Sequence, residues 1–210
     1  MRRTILLLMA MGLSIVLASG VALAATFNGT DGNDNKAGTT SADNMYGLDG
    51  DDTLNGRAGN DLIEGGAGID TVYGGVGEDE LSGGSGDDKI YGNNAKTTTA
   101  DGSTDIIYGG SGKDTIYLAI GGYGEVYAGP GADTIYAGET TGKTSDGTEV
   151  KYAGEDDINA GYGSDTIYAK DGKIDVINCG RYESSTSFDS DNDIAYLDSD
   201  DFRFDCEDVR

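Results

Sequence analysis

The chain of 210 residues contains no histidine. That absence removes the common zinc ligand, the usual general base and the serine-protease triad together. There is no zinc-binding motif and no G-x-S-x-G elbow either. Cysteine is scarce, with only Cys179 and Cys206, both near the C-terminus. Basic residues are few: 14 Lys and Arg face 38 Asp and Glu, for a formal charge of −24. Such a charge repels nucleic acid and anionic membranes. It calls for water or bound cations, because a compact chain with that much like charge works against its own folding.

The one apolar run of any length lies at the start, from Ile5 to Ala18. Arg2 and Arg3 precede it, and Ala22 and Ala24 stand just ahead of Ala25. This order of charge, apolar run and small-residue site predicts a secretory signal peptide over residues 1–24. The alternative is a retained N-terminal anchor, since the segment is just long enough to cross a bilayer. Cleavage would leave an extracellular chain of charge −26 with no membrane span. In that compartment an even cysteine pair favours one disulfide over two free thiols.

What the chain has in abundance is a repeat. Stepping by nine from Gly29 to Tyr91 gives GTDGNDNKA, GTTSADNMY, GLDGDDTLN, GRAGNDLIE, GGAGIDTVY, GGVGEDELS and GGSGDDKIY. Position six is Asp in every one: Asp34, Asp43, Asp52, Asp61, Asp70, Asp79 and Asp88. After an insert, GNNAKTTT, the pattern resumes with Asp105 and Asp114, and then with Asp133, Asp156, Asp165 and Asp175. A degenerate frame at 119–127 carries Gly124 in the Asp position, and a second insert separates the frames at Asp133 and Asp156. The last loose frame, KDGKIDVIN, ends at Asn178.

A fixed short period means a solenoid, in which each unit buries its apolar face only against its neighbours. Nine residues are too few for a helical repeat. The apolar tripeptide at positions seven to nine reads as a strand, and the glycine-rich hexad before it as a turn. The expected fold is therefore all-β: a parallel β-roll of two parallel sheets, about 18 residues per coil. Position eight faces inward, from Met45 and Leu54 through Ile177.

Stacked coils lie about 4.8 Å apart and calcium sits about 2.3 to 2.6 Å from its oxygens, so an ion between two turns reaches both. One turn then supplies half a site. A solvated acidic face would exchange freely with Glu, yet position six holds Asp and never Glu, as a length-sensitive ligand requires. The thirteen aspartates at position six are the expected calcium ligands. Position five varies among Asp51, Ile69, Glu78 and Ala132 and reads as surface charge. Gly124 should leave a weakened or empty site beside it.

The frames GGAGIDTVY, GGVGEDELS, GGSGDDKIY and GGSGKDTIY resemble the haemolysin-type calcium-binding nonapeptides, the RTX repeats of consensus G-G-x-G-x-D-x-U-x. The resemblance spans roughly residues 29–178. It implies a β-roll that holds several calcium ions in its turns, through the position-six aspartates and main-chain carbonyls, and that folds only with calcium. Toxin activity and leaderless export are not implied, because a leader is expected here and no separate catalytic domain is read from these residues.

Residues 179–210 depart from the nine-residue register and are expected to cap the roll, closed by a Cys179–Cys206 disulfide, with one more strand at 193–197. Their Cys-Gly and Cys-Glu-x-Val pattern loosely resembles the ends of small exported RTX-like bacterial proteins. Asp198, Asp200, Asp201 and Asp205 read as a solvated acidic cap, with a further ion as the alternative. Tyr recurs at position nine, where residues eighteen apart should stack above one another. The leading expectation is a non-enzymatic, secreted calcium-binding protein. A second makes the tyrosine stripe or the inserts an adhesive surface for an extracellular glycan, a cell surface or ice.

Overall fold

The computed structural model describes residues 24–93, 102–118, 123–137, 140–143, 149–152, 155–169, 173–180, 193–199, 201–204, 206 and 208–210. The expected leader lies outside them up to residue 23, as do Asp200, Asp205, most of the first insert and half of the second. The described residues form strands and turns only, with no helix. None of them therefore forms a helix long and apolar enough to cross a membrane.

One nine-stranded sheet contains β1 (Thr26–Asn28), β3 (Asn44–Asp49), β5 (Leu62–Ala67), β7 (Glu80–Ser85), β9 (Thr104–Ser111), β11 (Tyr123–Tyr127), β15 (Asp156–Asn159), β17 (Val176–Asn178) and β19 (Phe202–Phe204), in that order. The other contains β2 (Asn35–Ala37), β4 (Thr53–Ala58), β6 (Thr71–Val76), β8 (Lys89–Tyr91), β10 (Thr115–Tyr117), β12 (Thr134–Tyr136), β16 (Thr166–Tyr168), β18 (Ile194–Tyr196) and β20 (Asp208–Val209). The chain alternates between the sheets, and every pairing within them is parallel. This is the expected β-roll. The second insert adds an antiparallel pair, β13 (Thr140–Lys143) with β14 (Glu149–Tyr152).

Register follows the repeat. Leu54 pairs with Val72 and Ile63 with Leu81, each step eighteen residues long. A one-residue slip would turn the whole apolar set outward, so burying position eight fixes the stacking. Met45, Leu54, Ile63, Leu81, Ile90 and Ile116 are all fully buried between the sheets. The inserts do not disturb this alignment: Ile90 pairs with Ile116 and Leu81 with Ile107 across the first of them.

Two features differ from the expectation. Strands β3 to β7 run six residues each, so pairing continues past position nine into the first half of the hexad. The main chain bends there rather than leaving the sheet. The core also changes along the roll: the residue that follows position nine is glycine from Gly47 to Gly109, but thereafter Leu118, Ala128, Ala137, Ala160, Ala169, Cys179 and Leu197 bury side chains there. The C-terminal half thus has a second apolar residue per half-coil.

Residues after 179 extend the roll as well as ending it, since β18 and β20 continue one sheet and β19 the other. Cys179 is fully buried and bonded to Cys206, with Cα atoms 5.0 Å apart. The expected disulfide therefore ties the end of β17 to the segment between β19 and β20.

Candidate metal centre

The turns stack in two columns, one on each edge of the roll. Along the first, each position-six main-chain N–H donates to the Oδ1 of the aspartate one coil on: Asp34 to Asp52, Asp52 to Asp70, Asp70 to Asp88, Asp88 to Asp114, Asp114 to Asp133, Asp133 to Asp165 and Asp165 to Asp193, at 2.7–3.0 Å. Along the second, Asp43 donates to Asp61, Asp61 to Asp79 and Asp79 to Asp105, at 2.8–3.0 Å. It resumes from Gly124 to Asp156, then to Asp175 and Asp201, at 2.9–3.2 Å. All thirteen expected aspartates lie in these columns.

Asp193 and Asp201 join them too, where only a cap was expected. Their steps of 28 and 26 residues hide the register from a nine-residue count. Asp201 is thus a ladder residue rather than part of a loose acidic cap, and its Oδ2 also accepts the Asp198 N–H at 2.7 Å. Position five has a role beyond surface charge. The Asp51 N–H donates to Asn33 Oδ1 at 3.0 Å, and the Ile69 N–H to Asp51 Oδ1 at 2.9 Å, so these side chains bond to the coil above.

Beyond Asp34, which only donates to it, the ladder occupies one oxygen of each carboxylate. The other, Oδ2 of Asp52, Asp61, Asp70, Asp88, Asp114 and Asp133, is buried with no hydrogen-bond partner. A buried, unpaired carboxylate oxygen is costly in an apolar surrounding. Burial is the main reason that Asp61, Asp70, Asp88, Asp114 and Asp133 are pushed up to about 6, against the downward pull of the N–H bond each accepts. The neighbouring charges of Asp88 and Asp52 add to the rise at Asp70. A cation would reverse both effects.

The oxygens around these carboxylates suit a hard cation. A β-carbon added to Gly65 would collide with Asp70 Oδ2 and with the Gly83 carbonyl of the next coil. Glycine there leaves room for two oxygens to face each other. At Gly68, φ is 135°, and a β-carbon would strike the Gly50 carbonyl oxygen from the coil below. Main-chain carbonyls therefore point along the stack into the space between turns. Among the described residues no three Asp, Glu or Cys side chains converge, so an ion here would draw most of its ligands from the main chain. Carboxylate plus carbonyl oxygen is the donor set calcium prefers.

Position two marks the backbone that this requires. Leu48 and Arg57 occupy it with φ of 84° and 80°, values that are uncommon for residues with a β-carbon. Gly124 behaves differently: a β-carbon there would run into the Leu118 side chain, which lies where the missing carboxylate would be. An apolar plug interrupts the second column at that point.

The tyrosines stack as expected. Tyr73, Tyr91, Tyr117, Tyr136, Tyr168 and Tyr196 form one continuous ladder with ring centroids 4.7–5.0 Å apart and planes within 13°. Tyr108 and Tyr127 pair on the other sheet at 5.3 Å.

A coiled stack of glycine-and-aspartate turns with buried half-bonded carboxylates defines a calcium-binding repeat protein. The family model described as RTX calcium-binding nonapeptide repeat matches residues 28–63, 37–72, 64–95, 99–122, 125–140 and 152–173. The chain belongs to that family. No curated protein matches it.

Proposed function

We propose that this is a secreted, non-enzymatic protein whose roll is completed by several calcium ions held between stacked turns. The observation that carries this reading is the set of six buried Oδ2 atoms that accept no hydrogen bond. Asp52, Asp61, Asp70, Asp88, Asp114 and Asp133 would supply the side-chain ligands, and main-chain carbonyls of the glycine-rich hexads the rest. By their place in the same columns, Asp79, Asp105, Asp156, Asp165 and Asp175 would serve alike. The bound ion supplies positive charge to a chain of net charge −24.

Calcium then acts as part of the fold. Metal binding to a site that exists only in the folded chain is itself folding free energy. The expected consequence is a chain that stays expanded where calcium is low and becomes compact outside the cell. The N-terminal leader pattern and the Cys179–Cys206 disulfide support export. The aspartates are committed to the ladder, and no histidine is present to act as a base.

Calorimetric titration with calcium chloride tests the proposal. Binding of several ions per chain is expected, and a chain that binds none overturns it.

The adhesive reading draws little support from the tyrosines. Both faces of Tyr91, Tyr117, Tyr136 and Tyr168 are covered by neighbouring rings at 4.7–5.0 Å, so the inner faces that would stack on a sugar are already occupied. A sheet-stabilising role accounts for this geometry.

A further inference from the structure

The first two turns depart from the others in a way that bears on which of them hold ions. In turn 29–34 the Thr30 N–H donates to Asp34 Oδ2 at 2.7 Å, and the Thr30 hydroxyl donates to the same oxygen at 2.9 Å. Lys36 Nζ sits 2.8 Å from Asp34 Oδ1. In turn 38–43 the Thr39 N–H donates to Asp43 Oδ2, while Asp43 Oδ1 accepts the Thr39 hydroxyl at 3.1 Å and the Ala25 N–H at 2.9 Å. Both oxygens of both carboxylates are therefore engaged. In the turns that follow, Asp52, Asp61 and Asp70 each leave Oδ2 buried and bare.

The backbone differs with the bonding. Position two is left-handed in the next four turns, at Leu48, Arg57, Gly66 and Gly75, whereas Thr30 and Thr39 keep negative φ. Position four is left-handed at Gly50 and Gly59, whereas Gly32 is not, and a β-carbon added to Gly32 would meet nothing within 4 Å. In the left-handed turns the position-two carbonyl points to the coil above: a β-carbon on Gly66 would strike the Leu48 oxygen, and one on Gly75 the Arg57 oxygen. With negative φ, position two instead turns its N–H inward to the carboxylate.

We infer that turns 29–34 and 38–43 hold no calcium, because Thr30, Thr39 and Lys36 occupy the carboxylates of Asp34 and Asp43 in its place. The ion array begins at turns 47–52 and 56–61. Threonine at position two is the residue that makes the difference: it brings an N–H and a hydroxyl to the carboxylate from one side chain's distance. Lys36 has the further effect of placing an ammonium in an inward slot of β2, the edge strand of its sheet, where an apolar residue would invite another chain to add on. The two turns form a metal-free N-terminal end to a metal-dependent roll. This inference rests on the calcium reading given above and narrows its ligand set.

Ion counting by native mass spectrometry on the full chain, with calcium chloride as the only added ligand, tests it. Asp34→Asn and Asp43→Asn should bind as many ions as the unaltered protein, with calcium midpoints within about twofold. Asp70→Asn should lose at least one ion. The double change Thr39→Gly with Ser41→Gly, which turns GTTSAD into GGTGAD, should gain one. Loss of an ion in Asp34→Asn or Asp43→Asn would overturn the inference, and so would the absence of a gain in the double variant. The Asp34–Lys36 pair is partly exposed and such pairs contribute little to stability, so Asp34→Asn is expected to fold. A chain that binds no calcium before any substitution would instead refute the calcium reading itself.

Discussion

The main-chain N–H of Asp70 donates to Oδ1 of Asp88, eighteen residues on and 2.8 Å away, while Asp88 Oδ2 has no partner. One carboxylate thus has two roles, an acceptor that ties adjacent coils and a bare oxygen that waits for a cation. The two can be separated by substitution. Asp88→Asn keeps an acceptor for Asp70 and removes the charge, so it should lose calcium while keeping the coil contact. Asp88→Ala removes both and leaves the Asp70 N–H buried and unsatisfied, which should cost a further amount of about 1 to 3 kcal/mol. Urea unfolding of both variants in saturating calcium checks the order: Ala below Asn, and Asn below the unaltered chain.

Leu48 and Arg57 sit in left-handed backbone that glycine adopts freely. Strain of about 1 to 2 kcal/mol is offset in part by the larger chain entropy that glycine loses on folding. Leu48→Gly and Arg57→Gly should each stabilise the calcium-loaded roll by about 0.5 to 1 kcal/mol, read as a higher unfolding midpoint. Both side chains are exposed, so little packing is lost. A lower midpoint would mean that these side chains hold the turn in some other way.

The carboxyl groups of Asp61, Asp70, Asp88, Asp114 and Asp133, raised to about 6 from 3.8, give a pH dependence of definite sign. Between those values the folded metal-free chain binds more protons than the unfolded one, so its stability falls as pH rises. In chelator, residual structure should be greatest near pH 4 and lost as pH passes through about 6. Calcium needs the deprotonated form, so its affinity should rise over the same interval. Circular dichroism in chelator and calcium titration at pH 5 and pH 7.5 should move in opposite directions.

At the interruption of the second column, Leu118 fills the place that an aspartate at 124 would need. Gly124→Asp alone should therefore destabilise the roll through overlap with Leu118. Paired with Leu118→Gly it should restore a turn of the regular kind and add at least one bound ion, counted by mass spectrometry. An unchanged count would mean that those two side chains are not what interrupts the column.

Much of this architecture is legible in a period of nine. Equal spacing put Asp70 below Asp88, Ile63 below Leu81 and Tyr73 below Tyr91, because a parallel coil of eighteen residues leaves them no other arrangement. Asp193 and Asp201 were not legible, since loops of other lengths precede them and only three-dimensional stacking brings them into line. Nor was the closure of the Asp34 and Asp43 carboxylates. Thr30 and Thr39 look like ordinary departures from glycine until the direction of their N–H groups is known. The strand-like pairing of the early hexad residues was hidden by glycine, whose local signal is for turns.

The central claim is that calcium completes this fold. Far-UV circular dichroism together with hydrodynamic radius, measured at pH 7.5 in chelator and then in millimolar calcium, tests it most directly. The expected result is an expanded chain with little strand signal that becomes compact and β-rich when calcium is added. A radius and spectrum that stay the same in both conditions would contradict it.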